Sequence, residues 1–211
     1  MKENKRDVVA AFDFDGTITY RDTMLPFVIF VADWLVSIWN FITLVPAAIA
    51  YLLGALSRQE MKERAITRFF SGMTIDELKS YGAQFAKKRL GVKLKPEAIR
   101  RIEWHKKQGH RLILVSASLD VYLVPWATLA GFDDILTSRL EVDKEGKITG
   151  KLQGLNCRRE EKTRRLEALL GPRESYELYA YGDSRGDREL LAYADHSFFR
   201  KMPVMEKIKE I

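Results

Sequence analysis

The chain has 211 residues, 46% of them hydrophobic and 30% charged, and a formal net charge of +6. That is enough apolar residue for one ordinary domain with an insertion or for two small domains, and the positive balance suits anionic partners such as phosphorylated metabolites or an acidic membrane surface. A single cysteine, Cys157, excludes an internal disulfide and a multi-cysteine metal site.

The first element is a run of small and β-branched residues, Val8 to Phe12, which reads as a strand buried on both faces. It ends in Asp13-Phe14-Asp15-Gly16-Thr17. Alternation points Asp13 and Asp15 the same way and turns Phe14 into the core, and Gly16 lets the chain bend sharply. Two carboxylates at the end of a buried strand repel unless a cation or a shared proton lies between them, which suits a hard ion such as Mg²⁺. Read alone, they also suit a pair of turn-forming, helix-capping aspartates. The opening residues pass from charge straight into this strand with no visible cleavable signal, and with the lone cysteine they lead us to expect a cytoplasmic location.

Met24 to Leu56 is apolar with Asp33 its only charge. Its length is that of a membrane span. One crossing would separate the first carboxylates from the later polar groups, so a single span is rejected. Pro26 and Pro46 divide the run into two helices with a break. They form a hairpin-like cap, or else a re-entrant or interfacial element in peripheral contact with the inner face of a membrane. Trp34, Trp39 and Tyr51 serve either as core aromatics or as interface anchors. Ser57-Arg58-Gln59-Glu60 is a capping box opening a helix to about Phe70, and Thr74 opens another to about Leu90. Residues 22–92 thus form an all-helical insertion. Residues 1–21 and 93–211 form the remainder. Pro96 begins a helix that Gly109 stops.

Arg111 to Val115 is a second buried strand, followed by Ser116-Ala117-Ser118 and a helix from Asp120 to Ala130. Ser118 or Asp120 can cap that helix, leaving Ser116 free. A short strand lies near Ile135, a hairpin spans Leu140 to Leu152, and a basic helix runs from Arg159 to Leu170. Tyr176 to Tyr181 is a strand ending in Gly182-Asp183-Ser184-Arg185-Gly186-Asp187, and a helix and a last strand, His196 to Phe199, follow. This alternation predicts an α/β fold, a Rossmann-like parallel sheet with helices on both faces. Ligands of such sheets sit at the carboxyl ends of the strands, where Asp13/Asp15, Ser116/Ser118 and Asp183/Asp187 gather with the helix start that holds Lys162. Carboxylates, a hydroxyl and an ammonium on one edge suggest phosphoryl chemistry. For Lys162 alone, beside Arg164 and Arg165, a solvated helix face is the competing reading. No zinc-finger spacing or RNA-reading strand pattern is present, and nucleic acid is not expected as a partner.

These motifs and their order resemble the haloacid dehalogenase superfamily, in particular its phosphoserine-phosphatase-like branch, with a helical cap between the first and second motifs. The resemblance implies a magnesium-dependent phosphatase in which Asp13 is the nucleophile and forms an aspartyl-phosphate, while Asp15 is general acid and then base. It implies that Ser116 holds phosphate with Gly16, Thr17, Ala117 and Ser118 around it, and that Lys162 neutralises charge. Mg²⁺ would be held by Asp13, Asp183 and the carbonyl of Asp15, with Asp187 in support. Gly186 stands where relatives often carry asparagine, for which Ser184 can compensate. Asp22 either meets a substrate amine or caps the next helix. Arg64 and Arg68 read a second anionic group or face solvent. Candidate substrates are phosphoserine, histidinol phosphate and a lipid phosphate such as phosphatidylglycerophosphate. A catalytically silent binding module is the non-enzymatic alternative.

Overall fold

The computed structural model describes residues 7–32 and 34–203, with the side chains of residues 34–37 outside the description. Asp33 and the Trp34 side chain therefore lie outside the described residues. Five parallel strands form the sheet in the order β3 (Asp134–Ser138), β2 (Arg111–Leu119), β1 (Asp7–Phe12), β6 (Tyr176–Gly182), β7 (His196–Phe199). The Rossmann-like α/β expectation is met. Strand alternation gives the sheet two apolar faces. Ala10, Phe12, Leu112 and Leu114 pack with α5 (Pro96–Lys107) and α6 (Asp120–Ala130); Val9, Ala11, Ile113 and Leu178 pack with α7 (Glu160–Leu170) and α8 (Arg188–Tyr193). Because β1 is flanked by β2 and β6 and all three run parallel, their carboxyl ends lie side by side.

Between β1 and α5 lie α1 (Met24–Val31), α2 (Trp34–Leu52), α3 (Arg58–Phe70) and α4 (Ile75–Phe85). The capping box at Ser57 is formed in both directions: Ser57 Oγ accepts from the Glu60 N–H at 3.2 Å, and Glu60 Oε2 accepts from the Ser57 N–H at 2.7 Å. After Phe85 the helix widens into a π turn, Ala86–Leu90, so the predicted end near Leu90 holds although the hydrogen-bond pattern changes.

The break between the first two helices is not at a proline. Pro26 sits in the first turn of α1, and α2 runs unbroken through Pro46. Pro46 lies on the exposed face, where water can take up the carbonyl that its missing N–H leaves free. The break comes after Ala32, whose backbone is extended. Among the described residues no helix is long and apolar enough to cross a membrane.

Where the chain enters and leaves these helices it is tied to itself. The Tyr20 N–H donates to Lys93 O at 3.0 Å and the Lys95 N–H to Ile18 O at 2.8 Å. The hairpin of β4 (Leu140–Val142) and β5 (Ile148–Leu152) sits on the α3–α4 turn rather than on the main sheet. The N–H groups of Gly72 and Ile75 donate to Ile148 O and Gly146 O, and the Ile148 N–H donates to Met73 O, all at 2.9–3.0 Å.

At Gly82, α4 meets α6 so closely that a Cβ there would overlap the Val121 carbonyl oxygen. Gly82→Ala is expected to destabilise the fold by about 1–3 kcal/mol, read as a lower urea midpoint, because the obstacle is helix backbone. An unchanged midpoint would show that the two helices are not packed this closely.

Candidate functional site

The first turn of α7 carries Lys162 inward. Glu161, Arg164 and Arg165 share another face, where Glu161 pairs with both arginines at 2.7 Å. The solvated-face alternative therefore describes Arg164, whose side chain is 66% exposed, but neither Arg165, which is bonded to Thr137 O and Leu155 O, nor Lys162, which is 1% exposed. Its ammonium lies 2.6 Å from Asp13 Oδ1 and 2.6 Å from Asp187 Oδ1. The approach to α7 is strained: Arg159, a non-glycine residue, has φ +54° and donates its N–H to Gly186 O at 2.9 Å. Such strain costs about 1–3 kcal/mol and is held by its surroundings.

Burial pushes the Asp13 carboxyl up to about 7, with the negative charges of Asp187 and Asp15 adding to the rise against the pull of Lys162. Burial works against the Lys162 charge too, but the two carboxylates outweigh it and hold its pKa above the ordinary lysine value. Burial would also raise Asp187, yet Lys162 and the Ser184 donors keep it low. Asp13 Oδ2 accepts from Thr17 Oγ at 3.0 Å, so Thr17 contacts the carboxylate expected to be the nucleophile.

Asp15 is gripped on both oxygens. The N–H and Oγ of Thr23 donate to Oδ1 at 2.8 and 2.6 Å, and Ser118 Oγ donates to Oδ2. Burial and then the negative charge of Asp22 raise its pKa to about 6, while these hydrogen bonds hold it down. Ser118 is therefore not a helix cap, and neither is Asp120; no side chain caps α6, whose N-cap position is Leu119. Ser116 Oγ accepts from the Ser118 N–H at 3.1 Å. The strand β2 runs on to Leu119 rather than stopping at Val115, but its ladder with β3 slips between those residues, freeing the serines from regular pairing.

Asp183, half-buried, directly follows β6. Asp13, Asp183 and Asp187 each offer an oxygen, and the three atoms lie within 4.8 Å of one another. Among the described residues no donor hydrogen-bonds to the Asp183 carboxylate, and burial and the negative charge of Asp187 raise its pKa. Gly16, at φ +78°, leaves room for it, since a Cβ there would overlap the carboxylate. Buried oxygens of one sign with an unserved member fit a hard cation. Asp187 is already committed on both oxygens, to Lys162 on one and to the Ser184 N–H and Oγ on the other. Ser184 thus serves Asp187.

A cavity of about 620 Å³ opens over these groups. Its floor is Asp13, Asp15, Ser116, Lys162 and Asp183, and one stretch of its wall is apolar: Met24, Leu25, Val28, Phe41, Met61 and Phe69. Asp22 borders it, and Asp22 Oδ1 accepts from the N–H groups of Met24 and Leu25 at 3.0 and 3.2 Å, so the helix-capping alternative describes its contacts. Arg64 and Arg68 are exposed and do not line the cavity; at α3's register the inward positions are Arg58, Met61, Lys62, Ala65 and Phe69.

Lys62 was not predicted. Its ammonium donates to Ala117 O at 2.5 Å and Asn156 Oδ1 at 3.1 Å, and burial lowers its pKa to about 8. Arg158 also lines the cavity, and a Cβ on Gly186 would stand 3.0 Å from its Nε, so the glycine leaves space that the arginine uses. The i, i+3, i+4, i+7 and i+11 spacing of Arg58, Met61, Lys62, Ala65 and Phe69 was the available signal for Lys62.

The family model for haloacid dehalogenase-like hydrolases matches residues 10–192. The chain belongs to that family. Protein CicA of Caulobacter vibrioides is 34% identical over 195 residues, covering 92% of this chain and 86% of CicA. A Bordetella pertussis Tohama I protein of unknown function has the same fold, with a TM-score of 0.77 at 22% identity over 89% of this chain and 87% of that one. A substrate-bound phosphoserine phosphatase superposes with a TM-score of 0.59 at 17% identity, covering 90% of this chain and 84% of its own.

Replacing Lys162 by Met removes the charge between two buried carboxylates while keeping the side chain's length. In EDTA at pH 7.5 it is expected to cost about 3–5 kcal/mol in urea unfolding. A loss well below 1 kcal/mol would mean that Asp13 and Asp187 are not jointly held by this ammonium.

Proposed function

We propose that this hydrolase is a phosphomonoesterase working through an aspartyl-phosphate on Asp13. The observation that carries the proposal is the buried Asp13–Lys162–Asp187 array at the floor of a cavity, with Asp15 gripped beside it. Asp13 attacks phosphorus and the bond to the leaving oxygen breaks as Asp15 gives that oxygen its proton. Asp15 then takes a proton from the water that attacks the phosphoenzyme, and phosphate departs with Asp13 restored. A raised Asp15 pKa supports both duties near neutral pH. Ser116 and Lys162 hold the transferring oxygens, the ammonium offsetting the repulsion between carboxylate and phosphate. Asp13, Asp183 and the Asp15 carbonyl are the proposed ligands for Mg²⁺, with Asp187 supporting them. When bound, the ion supplies positive charge to the phosphoryl oxygens.

The leaving group we infer has an apolar part. Met24, Leu25, Val28, Phe41 and Phe69 suit it better than the polar serine of phosphoserine, the substrate class that the neighbour's name would suggest. Arg58, Lys62 and Arg158 also line the cavity, and no carboxylate among the described residues forms an ion pair with them. They supply charge for an anion. Histidinol phosphate and a single-chain lipid phosphate share this combination of phosphate and apolar carbon.

Asp13→Asn is expected to abolish Mg²⁺-dependent release of phosphate from p-nitrophenyl phosphate, a fall of at least about a thousandfold. A panel of phosphoserine, histidinol phosphate and a single-chain lipid phosphate should rank phosphoserine last in kcat/KM. No turnover of any phosphate by the wild type would favour a binding module instead.

Metal and protons should compete. In the unfolded chain Asp13 and Asp15 release their protons near pH 4; in the fold they keep them to about pH 7 and 6. Between those values the metal-free fold binds more protons, so these groups lose stability as pH rises. Mg²⁺ binds the ionised form and reverses the loss. The rise in Tm on adding Mg²⁺ is expected to be larger at pH 7.5 than at pH 5, and smaller in Asp13→Asn at both. Equal rises at the two pH values would remove Asp13 from the metal site.

A further inference from the structure

The inner side of α2 is occupied: Asn40 and Ala47 are buried, and Phe41 meets Phe69 of α3 at 4.9 Å between ring centroids. Its outer side is not. Ile38, Ile42, Val45, Ile49 and Leu52 are 41–80% exposed. They follow one another at steps of four, three, four and three residues. That repeat of 3.5 marks a straight seam for another helix, and β-branched side chains dominate it. Trp39 at 63% and Leu53 at 79% exposure widen the stripe.

We propose that this stripe is a self-association surface through which two copies of the chain pair their α2 helices antiparallel about a twofold axis near Val45. The spacing reads nearly the same in both directions from Val45. Ile42 therefore meets Ile49 of the second copy, Ile38 meets Leu52, and Val45 meets its own counterpart, as an isologous contact requires. From Trp34 to Leu56 the sequence contains no Asp, Glu, Lys or Arg, so two chains of net charge +6 meet without like charges in the seam. With Trp39 and Leu53, the exposed apolar side chains of the stripe set an upper limit of roughly 800 Å² that each copy can bury there, about what one partner gives to a standard-size interface. A lipid surface is the competing occupant. Interfacial helices of that kind carry Lys and Arg on their polar face, which α2 lacks.

The test is sedimentation equilibrium of the full chain across micromolar concentrations, where the wild type should weigh as two chains. Ile42→Glu with Ile49→Glu should weigh as one while keeping its circular dichroism spectrum. Should that variant fail to fold, Val45→Cys supplies an independent reading. Under mild oxidant it should form a disulfide-linked dimer, whereas Thr43→Cys, on another side of the helix, should not. A monomeric wild type overturns the proposal, and so does a dimer that survives both glutamates. Flotation of a monomeric wild type with phosphatidylglycerol-containing vesicles also overturns it and assigns the face to lipid.

Discussion

One ammonium group governs this molecule. Lys162 is the only positive side chain among the described residues in salt-bridge contact with Asp13 or Asp187, and both carboxylates are buried. Two anions at this depth would repel by several kcal/mol without it, and a lone buried lysine would give up its proton. Each charge is therefore tolerable only because of the others. The fold answers by fixing all three from separate elements: the end of β1, the first turn of α7 and the loop after β6. The strained backbone at Arg159 belongs to the same solution, since it aims the helix that delivers the lysine.

Most of the floor of the cavity could be read directly from the chain. Asp13, Asp15, Ser116, Lys162 and Asp183 all lie at the carboxyl ends of strands or at a helix start, where the α/β pattern alone says that polar groups converge. The walls were harder. Lys62 and Arg158 reach the cavity from a helix face and a loop, and a basic residue in either place looks like any solvated one until the packing is known. Arg64 and Arg68 show the converse, for of the two readings open to them it is the solvent-facing one that describes their place. They share α3 with Lys62 but project away from the cavity, because the helix turns 100° per residue and only one stripe can face inward. The placement of Pro46 within a continuous helix was also beyond local rules, which price proline for an average interior position rather than for an exposed one.

The serines illustrate how roles exchange between neighbours. Ser118 looked like a spare helix cap; it instead donates to Asp15, and α6 begins without a side-chain cap. Thr17, expected near phosphate, bonds to Asp13. In both cases a hydroxyl that a sequence assigns to substrate or to backbone serves a carboxylate, because buried acids need donors before any ligand arrives.

The hairpin on the α3–α4 turn carries a mechanical implication. Its three main-chain bonds fasten the inserted helices to the very segment that leads through Asn156 and Arg158 into α7. Roof and foundation share one strap. The inserted helices and the lysine that sits between the buried carboxylates are thus anchored by neighbouring stretches of one continuous segment.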